Sequence, residues 1–158
     1  MSRINPNRDT SFTADESGAG RAPLHLWIVG VRSLAWNAFG TFDYTMTNLR
    51  DADYLAAFPA EMMGVISAMP LWAHAGWAFG VWGSLIGSFL LLARSRWAYG
   101  AFALSLLGLA ASTIWQQLID LPASMKSPEM VYMNVTIWVI VVGLLLYSKA
   151  MVRRGILR

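Results

Sequence analysis

The pattern of apolar and polar positions divides the chain into a polar beginning and four long apolar runs. Residues 1–23 are rich in Ser, Asn, Gly and Arg and hold no apolar run, so they read as a disordered cytoplasmic tail. The runs cover 24–46, 70–93, 97–119 and 130–147. A helix rising about 1.5 Å per residue needs about 20 residues to cross a ~30 Å hydrocarbon core, and each run supplies roughly that. The first run lies too far into the chain, is too long and lacks the cleavage pattern of a signal peptide, so it is expected to stay attached as a spanning helix. The prediction is an all-α membrane protein: a four-helix transmembrane bundle over 24–150, followed by a basic cytoplasmic tail at 151–158.

Between the first two runs, Leu55, Phe58, Met62, Val65 and Met69 fall at helical spacings among Asp51, Asp53 and Glu61. This pattern predicts a short amphipathic helix lying in the membrane interface, with Pro59 at its start. The loop at 120–129 holds Pro122 and Pro128 and is expected to be short and irregular.

Within the runs, small residues recur at three and four positions. Ala73, Gly76, Gly80, Gly83 and Gly87 form one such face, and Ala101, Ser105, Gly108, Ser112 and Gln116 another. Faces of this kind let backbones touch where no hydrophobic force drives helices together. They predict packing within the bundle; self-association or a partner's helix is the other use of the same surface. In the first run Gly30, Ser33, Asn37, Gly40 and Tyr44 make a small, polar stripe.

Charge sets the orientation. Arg3, Arg8 and Arg21 precede the first run, Arg94 and Arg96 separate the second from the third, and Lys149, Arg153, Arg154 and Arg158 follow the fourth, whereas the other side keeps Arg50 and Lys126. The positive-inside rule then puts both termini in the cytoplasm. Trp97, Tyr99 and Tyr147 toward the inside, with Trp72 and Trp115 toward the outside, fit aromatic belts. The net charge of +3 is thus spent at membrane edges and does not point to nucleic acid. The chain has no cysteine, which excludes disulfides and thiolate chemistry. With 56% hydrophobic and 13% charged residues, it has the composition of a polytopic membrane protein in contact with the lipid bilayer.

Counting depth from the outer ends brings polar residues of all four runs to one level: Asp43 and Tyr44, His74, Gln116 and Gln117, and Asn134, with Asn37 deeper. One use of such a layer is a satisfied network that fixes the register of the helices. The other is a shallow outward-facing pocket with Asp43 as the charge, His74 as proton carrier and the rest as orienting groups. Equal depth predicts that Asp43 and His74 interact. Arg32 is expected to snorkel to the cytoplasmic headgroups. Met46, Met62, Met63, Met69, Met125, Met130 and Met133 gather toward the outer side, where thioethers with His74 would suit Cu(I); filling under an interfacial helix is their other use. No resident metal or cofactor is expected, since His25 and His74 lie at opposite ends and a self-contained bis-histidine haem is excluded. No GxSxG, HExxH, Walker or GxGxxG pattern occurs, and an enzyme is not expected.

At WNAFGTFDYTMT (36–47) the chain resembles a family of small four-span bacterial inner-membrane proteins of unknown function, some of them named sugar transporters. The similarity continues through YLAAF (54–58), WAFGVWG (77–83), LLARSRWA (91–98) and FALSLLG (102–108). The resemblance implies the bacterial inner membrane and brings no established binding residues. The expectation is a non-enzymatic membrane protein, alone or as an accessory subunit of a larger complex. A small-solute transporter using the outer layer is the alternative, decided by whether that layer opens to the midplane around Asn37.

Overall fold

The computed structural model describes residues 23–158; all but the last residue of the expected tail lies outside them. Helices α1 (Leu24–Leu49), α2 (Ala52–Leu55), α3 (Glu61–Ser67), α4 (Leu71–Leu92), α5 (Trp97–Leu118) and α6 (Pro128–Arg153) are joined by short connections, one of them a 3-10 turn at Ala123–Lys126. Among the described residues there is no strand. The amphipathic stretch after α1 is two short helices, with Phe58 and Pro59 between them, rather than one.

Local chemistry sets the helix ends. Pro23 and Pro70 hold extended backbone immediately before α1 and α4; the Pro23 carbonyl accepts the amide of Leu26, and the Pro70 carbonyl accepts those of Ala73 and His74. Ser127 caps α6 through its hydroxyl, ahead of Pro128 at the first helical position, where a missing N–H costs nothing. Three helices stop by one backbone device. Arg50, Arg94 and Gly155 adopt left-handed backbone with φ of 55°, 57° and 67°. Paired amide bonds then run back from Arg50 and Asp51, from Arg94 and Ser95, and from Gly155 and Ile156 to the last turns of α1, α4 and α6. At the two arginines the Cβ costs about 1 kcal/mol relative to glycine. In return the cation stands at the carbonyl end of a helix dipole.

The long helices pack side by side in chain order, α1 on α4, α4 on α5 and α5 on α6. The α4–α5 pair is the tightest. A Cβ placed on Gly108 would overlap the Gly76 carbonyl and lie 3.0 Å from Gly80 Cα, and one on Gly83 would lie 3.2 Å from the Ala101 carbonyl. Backbone therefore meets backbone along this seam. Ser105 Oγ donates across it to the Gly80 carbonyl at 2.6 Å, and Ser112 Oγ to that of Ala73 at 3.5 Å. The α5–α6 contact is looser, with Trp138 Nε1 donating to Thr113 Oγ1 at 3.3 Å. Trp115 is buried, so it belongs to the core and not to an aromatic belt: its face of α5 also carries Ser105, Gly108 and Ser112.

The apolar core sits at the end of the molecule that holds the α4–α5 turn. Leu26, Leu91, Ala98, Phe102, Leu144, Met151 and Leu157 pack together there. The segment after α6 folds back onto that turn: Arg158 N donates to the Arg94 carbonyl at 2.8 Å, and Arg96 N donates to that of Arg158 at 2.9 Å. At the same end His25 Nδ1 and the Tyr147 hydroxyl share a hydrogen bond of 2.6 Å, tying α1 to α6. Beyond that tie α1 and α6 part, leaving a groove of about 500 Å³ between them.

Candidate functional site

Asn37 marks the middle of α1 and is the deepest of the polar residues singled out above. Its side chain is buried at 5% exposure, and Nδ2 donates to Ser88 Oγ at 2.8 Å and to the Ser84 carbonyl at 3.2 Å. Ser88 in turn donates to the Ser84 carbonyl at 3.0 Å. The Asn37 amide thus bonds α1 to α4 inside the protein, and it lines neither the groove nor the outer recess described below. Ser33 and Thr41 lie on the same face of α1, buried, with their hydroxyls on carbonyls of their own helix. Gly30 continues the face: a Cβ there would run into the Leu92 side chain.

Nearer the other end the residues of the expected layer separate into groups. Asp43 Oδ1 accepts the Tyr54 hydroxyl at 2.6 Å. The partner that the structure provides is a phenol from α2, in place of the imidazole that equal depth suggests, because α2 folds back over the end of α1. The Tyr54 ring stands edge-on to Phe42 at 5.6 Å and packs on Phe58 at 5.3 Å, which fixes the hydroxyl over the carboxylate. Burial, the hydrogen bond and the charge of Asp43 together push the Tyr54 phenol from 10.0 up to about 12.

Tyr44, one residue on, joins a different cluster. Its ring lies edge-on to Trp77 at 4.7 Å and 6.3 Å from the His74 ring, and His74 is 6.0 Å from Trp77. His74 also lines a recess of about 240 Å³ with Thr47, Asn48, Arg50, Met63 and Met69 among its neighbours. Arg50 crosses to the Ser67 hydroxyl at 3.1 Å and braces α3 over this recess.

On α5 and α6 the remaining members of the layer stand apart from both groups. Gln116 and Asn134 are half-buried and Gln117 is exposed, and among the described residues none of the three makes a side-chain hydrogen bond. The structure therefore brings together Tyr44 with His74, and Asn37 with α4, but does not join the seven residues into one site. Tyr54, Ser84, Ser88 and Trp77 complete these groups. The serines and Trp77 fall at helical spacings on α4, whereas Tyr54, on the four-residue α2, carries no periodic signal. Among the described residues no three His, Asp or Glu side chains gather as a metal site.

The fold defines a class. The described chain is all-helical, with three helices, α4, α5 and α6, long and apolar enough to cross a membrane, as in an α-helical membrane protein. Helix α1 is as long as α6, at 26 residues, but its Arg32, Asn37 and Asp43 dilute its hydropathy. Comparison of the chain with protein-family models, curated proteins and solved structures finds no match.

Proposed function

We propose that this protein is a non-enzymatic integral membrane protein of four crossings, with both termini on the cytoplasmic face of a bacterial inner membrane, acting as an accessory subunit of a larger membrane complex. The observation that favours this reading over a small-solute transporter is the use made of Asn37: its buried amide is consumed in bonds between α1 and α4 and lines neither the groove nor the outer recess. A small-solute transporter would need that level to be open to water. The fourth crossing is α1, two of whose polar residues find protein partners where the bilayer would penalise them: Asn37 is buried against α4 and Asp43 is bonded to Tyr54. Arg94, Arg96, Arg153, Arg154 and Arg158 converge at one end of the molecule, the side that the positive-inside rule makes cytoplasmic. The test is native mass spectrometry of the protein extracted with its own lipids. The reading expects a second membrane protein to be retained, and the chain alone or in multiples of itself would overturn the subunit role.

A second reading, copper handling, has one observation in its favour: Met63 and Met69 line the same recess as His74, a thioether and imidazole set suited to Cu(I). Competition with a Cu(I) chelator, compared between the protein and its His74→Gln variant, tests it; equal retention of copper by the two would remove it.

A further inference from the structure

We infer that the groove between α1 and α6 is a binding site for one anionic phospholipid, with an acyl chain along its apolar walls and the phosphate on Arg32. The walls are Val29 and Trp36 from α1 and Ile140, Gly143 and Leu144 from α6, and the His25–Tyr147 hydrogen bond closes one end. Arg32 lines the groove, is exposed, and among the described residues has neither an ion pair nor a hydrogen bond. A guanidinium in an apolar groove needs an anion, and the described groove supplies no carboxylate.

Depth identifies the anion. Gly30 faces Leu92, the last residue of α4, so the start of α1 projects past the apolar span of α4. Arg32 is two residues further into α1, about 3 Å to the bilayer side of that level, and its long side chain, leaning back toward the helix start, is within reach of the headgroup phosphates at that end. The groove runs from Val29 to Trp36 on one side, roughly 10 Å of helix, so a chain lying in it continues inward from the phosphate as a lipid tail does. A partner's transmembrane helix in this place would have to bring a carboxylate to the same level, whereas a phosphodiester is already there.

The inference rests on α1 lying in the bilayer and not on the subunit role. It is tested with the purified full chain in nanodiscs made from equal parts of phosphatidylglycerol and phosphatidylcholine, by counting the lipids that stay bound under native mass spectrometry. The protein should retain the anionic lipid over the zwitterionic one by about fivefold, the preference that one basic residue near an anionic surface confers. Arg32→Gln should retain the two in their mixing ratio. Gly143→Leu should lose the retained lipid altogether; a Cβ at Gly143 meets nothing within 4 Å, so the side chain fills the groove without disturbing the helices. Arg50→Gln, outside the groove, should behave as the unaltered protein, and helix content by circular dichroism should be the same in all four. Retention in the mixing ratio by the unaltered protein, an anionic preference that survives Arg32→Gln, or a dimer that Gly143→Leu dissociates would each overturn the inference.

Discussion

Replacing Gly108 with alanine puts one methyl group where α4 and α5 touch. That methyl would overlap the Gly76 carbonyl and crowd Gly80, and both obstacles are backbone, so no rotamer change relieves the clash. The helices must move apart. Overpacking of this kind costs about 1–3 kcal/mol, and weakening the Ser105 to Gly80 bond across the seam adds about 0.6 kcal/mol. Alanine returns about 0.5–1 kcal/mol of helix propensity, so the net loss should be about 1–3 kcal/mol. Gly100→Ala, on the same helix, is the control. Its Cβ meets nothing within 4 Å, so the propensity gain stands alone and the sign reverses. Unfolding in mild detergent titrated with dodecyl sulfate, followed by far-ultraviolet circular dichroism, measures both. If Gly108→Ala proves as stable as Gly100→Ala, backbone contact is not what joins α4 to α5.

Three further outcomes follow from other contacts. Asp43→Asn and Tyr54→Phe should be coupled in a double-mutant cycle by about 0.5–2 kcal/mol, whereas strict additivity would mean that the bond between α1 and α2 contributes nothing. Because the phenol of Tyr54 rises from 10.0 to about 12 on folding, its neutral form is the one the fold favours. The associated stability is fully present below pH 10 and is lost as pH rises through about 12, and Tyr54→Phe should flatten that part of a stability profile against pH. Asn37→Leu should destabilise the protein by about 1–2 kcal/mol through loss of the bonds to Ser84 and Ser88, and prior Ser88→Ala should reduce that loss, both read by the same unfolding assay.

What could be read in the sequence follows from what is periodic. Long apolar runs and small residues every three or four positions are one-dimensional signals, and the helices and the Gly76, Gly80, Gly83 and Gly108 contacts lie where those signals fall. Depth along a helix is one-dimensional as well, which is why Tyr44 and His74 come out near each other. Direction around the helix and the return of loops are not. Asp43 is bonded to Tyr54 because a four-residue helix folds back over α1, and nothing in the spacing of 51–58 announces that contact. Trp115 reads as an interfacial aromatic by its position near a helix end, yet its side chain turns inward, on the face of α5 that carries Ser105 and Ser112. The groove between α1 and α6 depends on how far two helices remote in sequence diverge, a property of their packing against α4 and α5.

The central claim is that the polar groups in the interior hold helices together and do not line a passage, and the absence of cysteine makes a direct measurement simple. Ser88→Cys, beside Asn37 and with no exposed surface, and Asn48→Cys, exposed at the end of α1, each introduce a single thiol. Treated in intact membranes with a water-soluble maleimide, the thiol at 48 should label and the one at 88 should stay unmodified until the protein is unfolded. Labelling of the thiol at 88 at the rate seen at 48 would contradict the claim, since it would put water at the level where Asn37 bonds α1 to α4.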